Sequence, residues 1–114
     1  MKRRFRLTRS TDFERVRRFG KSYAHPLIVL IALPNEMDIS RFATGAGRSI
    51  GNAVQRNRAK RIMRETLRPQ IPMIASGWDV VVLARKPIST ADFQDVEVAL
   101  NNLLSQANLL EKPQ

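Results

Sequence analysis

The sequence predicts an α+β fold, a two-layer α-β sandwich with helices packed on a small mixed central sheet. Three observations predict it. Two short apolar runs, 27–33 and 78–84, are bounded by proline, glycine or charge, as buried strands are. Capped stretches of helical period occupy 52–68 and the region after Ser89. At 114 residues the chain suits a single continuous domain, 1–114, with no repeat or linker to divide it.

Residues 1–9 read as a basic extended arm. Ser10 or Thr11 can cap a first helix, with Asp12 and Glu14 near the positive end of its dipole. Phe13, Val16 and Arg17 follow at helical spacing, and Gly20 closes it. The run 27–33 is a central strand ended by Pro34-Asn35, and a turn at 35–38 suggests antiparallel return into 41–47. Gly45, Gly47 and Gly51 weaken that second strand and suggest a bulge or a close backbone approach.

Asn52 then caps a basic helix, with Gln55 at the reciprocal capping-box position, and Pro69 ends it near Arg68. The strand 78–84 follows and finishes in Arg85-Lys86-Pro87. Ser89 or Thr90 opens the last helix, whose stripe is Phe93, Val96, Leu100, Leu103, Leu104 and Ala107 before Lys112-Pro113 ends it. The order is helix, strand, strand, helix, strand, helix.

A formal net charge of +10 points to a polyanionic partner. Segments 1–21 and 41–68 each carry +7, while 22–40 and 69–114 are each −2. The helix at 52–68 holds six Lys or Arg and one acid. At about 100° per residue, Arg56, Asn57, Lys60, Arg61, Arg64 and Arg68 fall within an arc of roughly 140°, with Ala59, Ile62, Met63 and Thr66 on the far side. Like charges along one edge repel unless something negative lies against them, and a phosphate backbone is the fitting occupant. Guanidiniums outnumber ammoniums, which suits bidentate phosphate contacts. Phe13, Phe19 and Tyr23, interleaved with Arg15, Arg17, Arg18 and Lys21, offer stacking surfaces for unpaired bases.

Catalytic chemistry is hard to build from this inventory. There is no cysteine, which excludes disulfides, thiolate metal sites and a cysteine nucleophile. His25 is the sole histidine, precedes Pro26 and has no evident companion ligand. Asp92, Asp95 and Glu97 are explained by the helix dipole and solvation. The glycines at 45, 47 and 51 fit neither a Walker loop nor a dinucleotide fingerprint. No run approaches a membrane span or a secretory signal, so the expected compartment is the cytoplasm and no membrane partner is expected.

The segment GNAVQRNRAKRIMRE, with Arg56-Asn57-Arg58 and Lys60-Arg61, resembles the arginine-rich RNR helix of the protein subunit of bacterial ribonuclease P. The likeness extends to Arg6-Leu7, Phe13, Val16, Gly20, the run 27–33 and Ala84-Arg85-Lys86-Pro87, so it covers nearly the whole chain. It implies a fold like the second domain of ribosomal protein S5, with a left-handed β-α-β crossover containing the RNR helix. It also implies a protein that joins a catalytic RNA, ribonuclease P RNA, to remove the 5′ leader of precursor tRNA. The hydrolysis and its Mg²⁺ would then belong to the RNA, with no catalytic or metal-ligating residue in the protein, itself a monomer when alone.

By the same resemblance Arg48, Asn52, Arg56, Asn57, Arg58, Lys60, Arg61 and Arg64 lie on or near the catalytic-RNA surface. Phe13, Arg17, Ile31, Arg85 and Lys86 correspond to a cleft that holds the single-stranded leader. The family often has a second aromatic where this chain has Arg17, and an aromatic can occur where it has Ile31. It usually has two lysines after a serine where this chain has Gly47-Arg48-Ser49. Two other readings fit the charge: a non-enzymatic RNA-binding module, which lacks the RNR string, and a DNA-binding regulator, which would need helix-turn-helix spacing.

Overall fold

The computed structural model describes residues 3–111. Three α-helices, α1 (Ser10–Phe19), α2 (Ala53–Leu67) and α3 (Phe93–Gln106), surround four strands, β1 (Lys21–Ala24), β2 (Ile28–Pro34), β3 (Arg41–Gly45) and β4 (Trp78–Ala84). The strands form one mixed sheet in the order β1-β2-β4-β3, with β1/β2 and β2/β4 antiparallel and β3/β4 parallel.

The expected α+β class and its small mixed sheet are present, but two details of the sheet differ. The strand β1 was not expected. Its sequence, Lys-Ser-Tyr-Ala, is short and polar because it is an edge strand, where apolar alternation is weak. The antiparallel return from β2 to β3 holds in direction only, since β4 sits between them. Val80, Val81 and Val82 leave β4 buried on both faces, as suits the central position in which it is hydrogen-bonded to β2 on one edge and β3 on the other. Glycine-containing β3, with Arg41 at its start, takes the edge instead. The segment β3–α2–β4 is thereby a crossover between adjacent parallel strands.

The two sheet faces are covered unequally. Ile28, Leu30 and Ala32 of β2 and Val80 and Val82 of β4 face α2 and α3 in the larger core. Ile31 and Val81 face the other way, packed with Leu7 and Val16 beneath α1. Among residues 1–9, those described do not form a free arm. Arg3–Phe5 is a single 3-10 turn, and the Leu7 N–H donates to the Phe42 carbonyl at 2.8 Å along the outer edge of β3.

Helix ends correct three further expectations. Arg9, not Ser10 or Thr11, occupies the N-cap of α1, and no side chain caps it. The capping box of α3 is Asp92 with Asp95, so Ser89 and Thr90 belong to the preceding 3-10 segment Lys86–Thr90. Phe93, placed in the apolar stripe by spacing, is largely exposed, and Ala99 takes the buried position. Asn108 closes α3 with a left-handed φ of 59°. Lys112-Pro113 lie outside the described residues.

Candidate nucleic-acid interface

The basic helix α2 begins as its sequence requires. The Gln55 N–H donates to Asn52 Oδ1 at 3.0 Å, and the Asn52 N–H donates to Gln55 Oε1 at 2.9 Å. This reciprocal cap is worth about 1 kcal/mol and engages the side-chain oxygen of Asn52, while its amide nitrogen is left to donate to a ligand. Ala59, Met63, Thr66 and Leu67 are buried against the sheet and α3. Leu67 lies at about 20° on the wheel that puts Arg56 at 0°, inside the cationic arc. The buried face therefore reaches further round than the spacing of Ala59, Ile62, Met63 and Thr66 suggests. Arg56 and Lys60, on its flank, are half-buried, while Asn57, Arg61, Arg64 and Arg68 are exposed, as is Arg48 just before the helix.

Few of these cations find a partner. Arg68 pairs with Glu65 at 2.6 Å, an exposed contact worth 0 to about 1 kcal/mol. Arg58, on the far side of the arc, donates to the Ala91 carbonyl at 3.4 Å and so leans toward α3. Arg48, Arg56, Lys60, Arg61 and Arg64 have no ion pair among the described residues. A helix that keeps uncompensated cations over more than two turns is built to meet an anion.

On the opposite face, residues of three strands align in rows. Val29, Leu83 and Gly45 form one row, Ile31, Val81 and Ala43 the next, and Leu33, Asp79 and Arg41 the third. Helix α1 lies across them. Val16 is buried over the middle row, and Phe13 rests on the first. A Cβ at Gly45 would stand 2.8 Å from Leu83 Cδ2 and 3.3 Å from the Phe13 ring. The close backbone approach expected of these glycines is not what Gly45 meets: its neighbours are the side chains of Leu83 and Phe13, and the missing Cβ seats Phe13. A Cβ at Gly20 would similarly strike Ile31 Cγ2 at 2.7 Å.

That second contact corrects one site residue. Ile31 is only 5% exposed and roofed by α1, so it offers no surface to a ligand. The half-buried side chains beside Phe13 are Val29 and Leu83. Sequence reasoning missed both, although strand alternation from Ile31 and Val81 places each on the same face one row along. Arg17 projects from the same flank of α1 as Phe13, is 51% exposed and touches Glu14 at 3.2 Å. Arg85 continues the face of Val81 and Leu83, donating to the His25 carbonyl at 3.3 Å, and Lys86 follows it, exposed. The floor is apolar and the rim is cationic. His25 itself is a turn residue, its Nδ1 accepting from the Leu27 N–H at 3.1 Å.

The aromatic set divides. Phe19 is 67% exposed on the other flank of α1, near Tyr23 and Trp78, with the Arg18 guanidinium 5.6 Å from its ring centroid. It does not share a surface with Phe13. The third row holds a network that the apolar reading of 78–84 overlooked. Asp79 is fully buried and accepts two hydrogen bonds from Arg41, at 3.0 and 2.8 Å, one from Arg15 at 2.7 Å and one from Asn35 at 2.9 Å. Burial by itself pushes the Asp79 carboxyl up, but the bonds from Arg41, Asn35 and Arg15 outweigh it and hold the group below its ordinary value. Arg41 is raised in turn, chiefly by its bond to Asp79. Arg15 and Arg41 thus anchor α1 to the sheet. A lone acid in a run as apolar as WDVVVLA was the available signal.

Comparison with known proteins agrees over nearly the whole chain. A family model described as Ribonuclease P matches residues 1–108. The ribonuclease P protein component of Dehalococcoides mccartyi is 39% identical over 112 residues, spanning 98% of this chain and 92% of that one. That of Herpetosiphon aurantiacus is 39% identical over 109 residues, with 96% and 89% covered. Among solved structures, the RNase P protein from Thermotoga maritima superposes with a TM-score of 0.79 at 36% identity, covering 89% of this chain and 96% of that one. The Staphylococcus aureus RNase P protein gives 0.85 at 29% identity, with 94% and 98% covered.

Proposed function

The chain belongs to the ribonuclease P protein family, the protein part of an RNA-processing endoribonuclease, and we propose how its two surfaces divide that work. Its partner is the ribonuclease P RNA. The exposed face of α2 docks that RNA through Arg48, Arg56, Asn57, Lys60, Arg61 and Arg64, with Asn52 and Arg58 at its margins. The cleft beside α1 holds the unpaired 5′ leader of precursor tRNA. There Phe13 offers a stacking face, Val29 and Leu83 the floor, and Arg17, Arg85 and Lys86 the phosphate contacts.

The observation that carries this reading is the uncompensated charge of α2 set on a rigid, capped and packed helix. Such a surface binds a folded polyanion and screens repulsion between two of them, the catalytic RNA and its tRNA substrate. Among the described residues no three His, Cys, Asp or Glu side chains come together to hold a metal, and Asp12 and Asp79 are shared between Arg15 and Arg41. We place Mg²⁺, and the hydrolysis, with the RNA, and assign the protein positioning alone. A single copy acting in the cytoplasm completes the proposal; no helix among the described residues is long and apolar enough to cross a membrane.

Reconstitution tests it. The folded protein alone should cleave nothing, and at low Mg²⁺ it should raise the rate of its RNA on precursor tRNA. With the RNA present, precursor should bind more tightly than mature tRNA. A folded protein that gives no stimulation overturns the reading. Equal binding of precursor and mature tRNA removes the leader cleft while leaving the α2 surface standing.

A further inference from the structure

The cationic edge of α2 does not stop where the helix stops. Arg56, Lys60, Arg64 and Arg68 succeed one another four residues apart, and two of them meet arginines from the start of the chain. Arg64 and Arg6 line one small groove of about 160 Å³ with Thr8 and Thr44. One turn on, Arg68 and Arg4 stand at the rim of a larger pocket of about 610 Å³. Its floor is Phe42 and Ile74, and its walls include Phe5 and Ile71. The Arg4 guanidinium lies 4.8 Å from the Phe5 ring centroid, which holds a flexible cation at the mouth. Arg68 keeps donors beyond its single contact with Glu65.

The other charged group at the rim is Asp38, exposed and without an ion pair among the described residues. A carboxylate offers two acceptors side by side and no donor. Of the four RNA bases, only guanine presents two adjacent donors, N1–H and the N2 amino group, on its Watson–Crick edge. An apolar slot, two cations on the side of the α2 ridge and a carboxylate at the rim match the three parts of one guanine nucleotide: ring, phosphates and base edge.

We propose that this pocket receives one unpaired guanine nucleotide of the RNA lying along α2. Its base enters between Phe5 and Ile71 with the edge toward Asp38, and its phosphates lie on Arg4 and Arg68. The proposal rests on the α2 surface being the RNA-docking face. It adds a point of base recognition to a surface otherwise composed of phosphate contacts.

The test uses the protein assembled with its ribonuclease P RNA and a glyoxal reagent that adds across N1 and N2 of unpaired guanine. Wild-type protein should protect a guanine that becomes reactive again with Ile71→Trp, which fills the slot, and with Asp38→Asn, which replaces one acceptor by a donor. Ile71→Trp should also weaken RNA binding on the order of tenfold, the loss of one stacked base. Asp38 is a surface residue, so Asp38→Asn decides the matter if Ile71→Trp fails to fold. Identical protection by wild type and folded variants overturns the pocket while leaving the docking face intact. Wild-type protein that binds no RNA overturns the docking face itself.

Discussion

On one face of the sheet, Arg15 and Arg41 converge on the buried Asp79; on the other, α2 and its C-cap Arg68 hold six cations against the single carboxylate of Glu65. Both regions are rich in arginine, and a count of charge does not tell them apart. What separates them is whether the counter-charge comes from within. In the first region the guanidiniums are spent on holding α1 down, with Asp12 at 3.6 Å from each. In the second they are left over, so the energy of neutralising them is available to a partner. An arginine is evidence for nucleic-acid binding only after its carboxylates have been accounted for.

Removing Asp79 should break this contrast most forcefully. Asp79→Ala leaves two partly buried guanidiniums facing each other without their anion and should cost about 3 kcal/mol in urea unfolding, the lower end for a disrupted buried pair because both arginines keep some water. Under conditions where the variant is folded, its affinity for the RNA should not change. A stable variant with weakened RNA binding would show that Arg15 and Arg41 belong to the interface after all. The same carboxyl sets an acid limit. Its folded pKa lies below the unfolded value of about 3.9, so its contribution is complete above that pH and disappears as pH falls through the folded value. Acid unfolding should therefore steepen below about pH 4 in the wild type, and Asp79→Asn should lack that component.

This network also marks where sequence reasoning stopped. Helix α2 was legible down to its capping box because cap, charge arc and apolar stripe are local patterns within a few turns. The strand β4 was legible to the residue because it is apolar on both faces. What was not legible is what depends on sheet order. With β4 placed between β2 and β3, Asp79 stands opposite both Leu33 and Arg41, a juxtaposition that no spacing along the chain encodes. The same holds for the cleft. Phe13 was identifiable by type, and alternation puts Val29 and Leu83 on the face of Ile31 and Val81. Only the register sets them beside Gly45 and Phe13, and Ile31 leaves only once α1 is seen to cover it.

Phe13 tests the boundary between the two uses of a surface. Half-buried on Gly45 and Leu83, it should lose about 2 kcal/mol of stability on replacement by alanine, less than a core phenylalanine loses. The preference for precursor over mature tRNA should fall with it, while affinity for the ribonuclease P RNA holds. A melting temperature lowered as for full burial, with leader preference intact, would return Phe13 to the core.

Arg64 tests the ridge. Arg64→Ala should leave thermal stability unchanged, since the side chain is exposed and unpaired among the described residues. It should weaken RNA binding and lower the slope of log affinity against log salt by about 0.7–0.9, the mark of one lost phosphate contact. An unchanged slope would mean that this part of α2 faces solvent in the complex.

The smallest effect belongs to Arg58, which stands between the two regions in kind as well as in place. Its guanidinium points away from the main arc and already donates to the Ala91 carbonyl, yet at 3.4 Å that bond is long. Arg58→Ala should therefore cost no more than about 0.5 kcal/mol of stability. If the contact with Ala91 is its whole role, assembly with the RNA is otherwise untouched and Arg58→Gln, which can still donate, restores the loss. If the guanidinium instead swings out to a phosphate on binding, Arg58→Lys keeps the charge and the salt slope while Arg58→Gln loses both. The pair of substitutions separates an arginine bonded within the fold from one held in reserve for RNA, which is the distinction that Asp79 and α2 represent at their extremes.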